Sequence, residues 1–332
     1  MRALINSAPS QVEIRAWPRP QLAAGDVEIA VSAAGICTVD ISRFLGHSRH
    51  HIPPSILGHE LVGHTSDGRR VVADPLISCG QCAECRADAG NLCSGLRLLG
   101  LEGTPGCHAE FVSVPESQVY EIPPGLSDAQ AVLAEPLANI VHLFRRTVLP
   151  PFFCMGIVGA GTMGSLALKM ARHLGVREVL VEDVDEIRLA AARQMGATLA
   201  VQSEAGGTDL RSNDPSRFSG RGLDLVLDAC GEADARQRAF DLCKPGGTVV
   251  LLGMAQERSE IDFATSIRKE HRVLMSFGYT PVDFRRSLDL LVKGEIDMKP
   301  WSAEMPLEEG QKAFEKMSYS RGETLKMLLR IR

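Results

Sequence analysis

Cys154-Met155-Gly156-Ile157-Val158-Gly159-Ala160-Gly161-Thr162-Met163-Gly164 is the stretch that decides the fold of the second half of this chain. Cys154 to Val158 reads as a buried strand, the glycines follow as G-x-G-x-x-G, and a helix is expected over Met163 to Leu174. Glycine is common, so the spacing alone means little. Between a strand and a helix, however, it describes a tight turn that lets a pyrophosphate rest on the helix N-terminus. Thr162 and Met163 sit inside that turn, before Gly164. The next strand, Glu178 to Glu182, runs into Asp183, nineteen residues beyond Gly164. A carboxylate there accepts hydrogen bonds from both adenosine ribose hydroxyls and repels a 2′-phosphate, so the pattern favours NAD over NADP. Arg188 either flanks the adenosine or makes a salt bridge on the helix surface.

Outward from this turn the alternation continues. A helix is expected over Glu186 to Met195 and strands over Leu223 to Leu227 and Thr248 to Leu252, with Lys244-Pro245-Gly246-Gly247 as the turn before the last. The polar stretch Ser203 to Gly222 reads as a surface excursion. Strands alternating with helices imply a doubly wound parallel sheet. The first third has a different texture: short strands at Met1 to Asn6, Val27 to Val31, Arg70 to Ala73 and Ala109 to Val114, separated by Gly and Pro. Asp128 to Leu149 reads as helix, with Pro136 marking a break or a first turn. A further helix is expected over Val282 to Val292. At 332 residues the chain is long for one core, and two domains are expected.

Apolar residues make up 45% and charged residues 23%, the balance of a soluble globular protein. The net charge of -5 carries no block of like charges, so neither nucleic acid nor an acidic membrane surface is indicated as partner. The sequence shows no signal-peptide stretch and no run of 18 apolar residues. Nine cysteines without a secretion signal point to metal ligation in a reducing compartment, and a cytoplasmic location is expected.

Four of those cysteines fall within 15 residues: Cys79-x-x-Cys82-x-x-Cys85-x7-Cys93. The run is hydrophilic and punctuated by Gly80 and Gly90, as a loop wrapped on a metal should be. Free cysteines scatter through apolar positions and do not cluster in polar loops, and iron–sulfur clusters use other spacings. A closed tetrahedral zinc site of structural type is expected. Three further candidates stand apart: Cys37 in Gly35-Ile36-Cys37-Thr38-Val39-Asp40, His59 in Leu57-Gly58-His59-Glu60, and Glu135 in Leu133-Ala134-Glu135-Pro136-Leu137. One thiolate, one imidazole and one carboxylate would leave a fourth coordination position open, the mark of a catalytic zinc.

The order Gly-Ile-Cys-x-x-Asp, Gly-His-Glu, four-cysteine loop, Ala-Glu-Pro-Leu and dinucleotide turn resembles the zinc-dependent medium-chain dehydrogenases over nearly the whole chain. The resemblance implies an α/β protein with a GroES-like β domain over 1–137 and 276–332. A doubly wound Rossmann domain over 138–275 would bind NAD, with the active site in the cleft between them. It implies two Zn²⁺ per subunit, the catalytic one on Cys37, His59 and Glu135. Glu60 would stand beside it as an alternate or second carboxylate, and Asp40 would hold the far nitrogen of His59. Taken alone, Asp40 is also what a helix cap would use. The implied reaction is hydride transfer between a small-molecule secondary alcohol or ketone and NAD, in a homodimer or homotetramer. The glutamate of Ala-Glu-Pro-Leu resembles the polyol and threonine branches. A dehydrogenase of simple or aromatic alcohols and a non-catalytic NAD-binding relative are the alternatives.

The chain departs from the family pattern at three places. Val39 and Ser42 stand where relatives carry a hydroxyl and a histidine that relay the alcohol proton. A histidine among His47, His50 and His51, or Glu60 through water, is the expected replacement. Ser276-Phe277-Gly278-Tyr279 lacks the arginine of the Phe-Arg-Tyr found in polyol dehydrogenases, which leaves room for a cyclic polyol or modified sugar. His64 to Arg70 is short for the family. Cys107, Cys154, Cys230 and Cys243 are assigned to packing, and Trp17 and Trp301 to anchoring the first domain or a subunit interface.

Overall fold

A computed structural model describes residues 1–48, 51–101, 103–151, 153–203, 222–319, 322 and 324–332. Most of the Ser203 to Gly222 excursion lies outside the described residues. The chain forms two compact units, Met1–Ala138 with Gly278–Ser320 and Lys326–Arg332, and Asn139–Phe277 with Arg321–Leu325. The short return of 321–325 to the second unit has no signal in the residue pattern. Among the described residues no helix is long and apolar enough to cross a membrane.

The second unit is built on six strands in the spatial order Leu199–Gln202, Glu178–Asp183, Cys154–Val158, Leu223–Asp228, Cys243–Leu251, Arg272–Met275. Every pairing is parallel. All five residues of Cys154–Val158 are buried, as a central parallel strand covered on both faces requires. Strand order reverses between this strand and Leu223–Asp228, the point at which doubly wound sheets take their ligands. The helices Thr162–His173 and Glu186–Gln194 follow their strands as expected, and a further helix, Ala233–Leu242, follows Leu223–Asp228. One element differs. Lys244 to Gly247 is not a separate turn but part of an irregular strand whose register slips between Leu223 and Leu225. Gly246 donates its N–H to Lys269 O there, so the kink is paid into the loop rather than ending the strand.

The first unit centres on the long strand Asp26–Ile36, antiparallel to Glu60–Thr65, to Phe111–Pro115 and to Lys326–Arg330. Arg70–Ala73 and Val119–Glu121 extend the sheet on one side and Ser302–Pro306 on the other. A second small sheet joins Gln11–Ala16, Arg2–Ala8 and Ser55–Ile56. Trp17 packs against its Ala3, Ile5 and Ile56. The core gathers Ile29, Val31, Phe44, Leu61, Phe314, Met327 and Leu329. Burying a residue such as Leu61 contributes about 1.5–3 kcal/mol. The helical stretch expected from Asp128 is two helices, Asp128–Ala131 and Ala134–Arg146. Pro136 falls in the first turn of the second, where its missing N–H has no intrahelical partner to lose.

Candidate metal centres and dinucleotide loop

The four-cysteine loop folds as its spacing implies. The Sγ atoms of Cys79, Cys82, Cys85 and Cys93 all lie within 4.8 Å of one another. Cys79 and Cys85 are 4.0 Å apart and Cys82 and Cys85 3.4 Å. A tetrahedral ion with sulfur arms of about 2.3 Å would hold them about 3.8 Å apart, so the set fits zinc. Backbone N–H groups aim at the sulfurs. Cys93 Sγ accepts from Cys79 and from Gly95 at 3.3 Å each, and Cys82 caps the short helix Ala83–Arg86 by accepting from Cys85 N–H. The N–H of Gln81, then that of Cys82, bring the Cys79 thiol down to about 6, so a thiolate is readily available.

The second donor set is assembled by sheet register. Glu60 opens its strand directly opposite Gly35, and Met327 lies opposite Ile36, so three distant segments meet at the end of Asp26–Ile36. Cys37 follows that strand and caps the helix Thr38–Phe44. Donor atoms of Cys37, His59 and Glu60 lie within 4.8 Å of one another. Glu135 is not in that group. It occupies the first turn of Ala134–Arg146 and accepts a hydrogen bond from the Tyr279 hydroxyl at 3.2 Å. Burial pushes the Glu135 carboxyl up while His59 pulls it down, so it stands within electrostatic reach of the cluster. The Ser287 hydroxyl bonds Ala134 O at 2.7 Å and fixes where this helix starts.

Asp40 acts first as a clamp on the backbone. One oxygen accepts Cys37 N–H at 2.9 Å and the other Gly58 N–H at 3.1 Å, tying the two ligand loops together. The expected bond to His59 is longer. Asp40 Oδ1 lies 3.6 Å from His59 Nδ1, an electrostatic contact beyond hydrogen-bond range, because both oxygens are already aimed at N–H groups. Both cap and imidazole neighbour are therefore true of Asp40.

Lys326 was not singled out by any motif. It is buried with Glu60, makes an ion pair with it, and donates to Ile36 O at 3.2 Å. Burial alone would discharge Lys326, but Glu60 and then Cys37 outweigh it and hold the ammonium above its usual range. The signal in the sequence was a lone lysine in the apolar run Leu325-Lys326-Met327-Leu328-Leu329. Neither oxygen of Glu60 has a hydrogen bond of normal geometry, and His59 Nδ1 has none. A half-buried thiol beside a buried imidazole and carboxylate is a donor set that fits zinc.

The proton-relay candidates separate. His47 is exposed, and His51 faces Asn6 with Nε2 2.5 Å from Oδ1. His50 lies outside the described residues. Of the described candidates, Glu60 is the one placed in the donor cluster.

In the second unit the three glycines divide their labour. Gly159 has φ +98°, which the turn requires. A Cβ at Gly161 would meet nothing within 4 Å, leaving open space for a ligand at the N-terminus of Thr162–His173. A Cβ at Gly164 would lie 1.8 Å from Gly159 O, so helix and strand pack too closely for any side chain. Thr162 and Met163 form the first turn of that helix, and Thr162 Oγ1 donates to Leu325 O. Asp183 is buried and oriented by the backbone, accepting Ala160 N–H at 2.6 Å and Asp185 N–H at 2.9 Å. Arg188 stands 3.9 Å from the carboxylates of both Asp183 and Asp185.

Comparison with known proteins agrees with both halves. Residues 23–124 match the family model of the alcohol dehydrogenase GroES-like domain, and residues 162–293 match that of the zinc-binding dehydrogenases. Sorbitol dehydrogenase of Bacillus subtilis (strain 168) is 27% identical over 99% of this chain and 97% of its own. L-threonine 3-dehydrogenase of Anaeromyxobacter sp. (strain Fw109-5) is 30% identical over 96% of each. Among solved structures, an alcohol dehydrogenase of E. coli CFT073 complexed with NADH has a TM-score of 0.90 at 26% identity, covering 100% of this chain and 99% of that one. The likeness runs through both units, and the chain belongs to the zinc-dependent medium-chain dehydrogenases, oxidoreductases of the alcohol and polyol type.

Proposed function

We propose that this chain oxidises a secondary alcohol of a polyhydroxylated substrate, a polyol, cyclitol or sugar derivative, with NAD as acceptor, or runs the reverse reduction. The observation that carries the reading is the Cys37–His59–Glu60 cluster, with Glu135 within electrostatic reach, in a chain that also holds the dinucleotide turn. Bound there, zinc would supply Lewis acidity toward the alcohol oxygen and NAD the hydride acceptor. The chain's own residues do the rest. Asp40 holds the Cys37 and Gly58 loops at fixed separation. Lys326 balances the charge of Glu60, so that carboxylate is not left as an unpaired buried charge. Glu135, with Tyr279 donating to it, is placed to accept from a second substrate hydroxyl or to complete the ligand set. Cys79, Cys82, Cys85 and Cys93 would hold the second zinc and stiffen their loop.

Asp183 supports NAD over NADP, since its oriented carboxylate suits ribose hydroxyls and repels a 2′-phosphate. None of the nine cysteines is joined in a disulfide, which supports a reducing, cytoplasmic location. A homodimer or homotetramer is supported by the strand Arg272–Met275, which among the described residues has one neighbour in its sheet and exposes Val273 and Met275. The test is NADH formation by zinc-loaded protein across linear polyols, cyclic polyols, threonine, and aliphatic and benzylic alcohols. A clear preference for one polyhydroxylated group is expected. A preference for benzylic or aliphatic alcohols would overturn the substrate class, and silence with two zincs and NAD bound would favour a non-catalytic role.

A further inference from the structure

His108 has no place in the family motifs, yet it lies where the loops bearing Cys37 and His59 converge. Its side chain is completely buried. Nε2 faces Gly35 O at 3.1 Å, so that nitrogen carries the proton and donates to the strand end two residues before Cys37. The ring also fills the space under Gly58, the residue before His59. Gly58 has φ +96°, and a Cβ there would lie 2.4 Å from His108 Cδ2. The backbone around His108 is zipped to the same loop: Gly106 N–H bonds Ile56 O at 2.9 Å, Cys107 N–H bonds Gly58 O at 3.0 Å and His108 N–H bonds Leu57 O at 3.0 Å. Behind the ring, Phe314 packs edge-on with centroids 5.8 Å apart. The remaining nitrogen, Nδ1, is buried with no hydrogen-bond partner.

That last feature is informative. A phenyl ring would fill the same space against Phe314 and leave no polar atom stranded, so packing alone does not account for an imidazole. What the imidazole adds is the one bond to Gly35 O, which ties the 106–108 segment, itself paired to Ile56, Leu57 and Gly58, to the Gly35–Ile36–Cys37 segment. Asp40 joins Cys37 to Gly58 from the side of the helix Thr38–Phe44. The cluster is therefore pinned from two directions.

We propose that His108 is a positioning residue for the Cys37–His59–Glu60 metal centre: its Nε2–H to Gly35 O, with its ring beneath Gly58, sets the separation of the two ligand loops and so the geometry and retention of the metal. This rests on the reading of that cluster as a zinc site. Groups that orient metal ligands are worth about 10- to 100-fold in metal affinity or activity.

The test uses the full chain with Co²⁺ in place of Zn²⁺, reading the visible bands of the one-thiolate centre, and separately zinc release to a chelator. His108→Phe keeps the volume and loses the donor, whereas His108→Gln keeps an N–H that can reach Gly35 O. His108→Phe is expected to shift and weaken the cobalt bands and to speed zinc release from this centre about 10- to 100-fold. The four-sulfur site should release at its usual rate, and His108→Gln should recover most of the loss. Unchanged bands and release in His108→Phe would overturn the proposal, as would a His108→Gln protein as impaired as His108→Phe. If His108→Phe also loses the four-sulfur metal it has misfolded, and His108→Leu takes its place with the same two outcomes. A wild-type chain that takes no cobalt at Cys37–His59–Glu60 would instead overturn the metal-centre reading itself.

Discussion

The two metal-type clusters of the first unit are built on opposite principles. The four sulfurs come from 15 consecutive residues, sit in a partly exposed loop, and are oriented by N–H groups of that same loop. Cys37, His59 and Glu60 are brought together by the pairing of distant strands, with buried support from Asp40, Lys326 and His108. The first is a local clip whose loss would slacken one loop. The second is written into the sheet, so strand pairing in the core sets where its donors stand. The contrast teaches that structural and reactive sites place their cost differently: one spends sulfur, the other buried charge.

The comparison breaks most visibly under ligand removal. Cys37→Ala should lower kcat/KM by about 10³-fold or more, since metal assistance to an alcohol oxygen is worth several kcal/mol. Its four-sulfur zinc and melting temperature should stay near wild type, as read by metal content and calorimetry. Cys85→Ser should do the reverse, releasing the loop metal and lowering thermal stability while leaving cobalt bands at Cys37. If each variant lost both metals, the two sites would be one cooperative unit and the contrast would fail. Lys326→Met comes next. It strands Glu60 in the interior, and breaking a buried pair from one side costs about 3–5 kcal/mol. Denaturant unfolding of the metal-free chain should show that loss, and zinc loading should reduce it because the cation takes over the pairing. Equal loss with and without zinc would separate Glu60 from the metal.

In the second unit, Asp183→Ala should raise the KM for NAD about 10- to 100-fold, the range for hydrogen bonds to a charged group, and narrow the preference over NADP. Steady-state kinetics with both cofactors reads this, and an unchanged NAD/NADP ratio would remove Asp183 from the selectivity argument. A pH test addresses the buried acids behind the cluster. Burial pushes Asp74 up to about 7, with Glu135 adding in the same direction and Leu76 N–H and Tyr279 opposing. An acid whose folded pKa is raised binds its proton more tightly when folded, so stability falls as pH rises from about 4 to about 7. Asp74→Asn should flatten that slope in denaturant melts. An unaltered slope would place the pH dependence elsewhere.

What could be read from the sequence follows the same divide. The dinucleotide turn, Asp183 and the four-cysteine loop are short-range patterns, and their geometry follows from neighbours in the chain. Cys37 and His59 are legible as candidates, with Glu60 as an alternate carboxylate to Glu135. What the spacing does not reveal is the strand register, which puts residue 60 opposite residue 35 and so brings Glu60 to Cys37 and His59. Lys326 arrives from nearly 300 residues away for the same reason. The Lys244–Gly247 turn was misjudged because a Pro-Gly-Gly string marks a bend but does not say whether strand pairing survives it. Two of the four extra cysteines, Cys107 and Cys243, are fully buried in packed surroundings, as apolar context suggests.

The smallest effect falls on His51, one of the residues weighed as a substitute for the missing proton relay. Its Nε2 lies 2.5 Å from Asn6 Oδ1, an acceptor, which fixes the proton on that nitrogen. Burial, and then Arg43, hold its pKa below the usual histidine range. The cavity it lines, about 520 Å³, is shared with Trp17, Arg43 and Thr104 and not with Cys37, His59 or Glu60. His51 is therefore a neutral tie between its loop and the strand Arg2–Ala8. His51→Ala should cost about 0.5–1.5 kcal/mol of stability, the worth of one hydrogen bond. Its pH–rate profile should overlay that of wild type, as should that of His47→Ala. A displaced basic or acidic limb in the His51 variant would carry the proton path out of the buried cluster and into the loop, and the sheet-built site would no longer be self-sufficient.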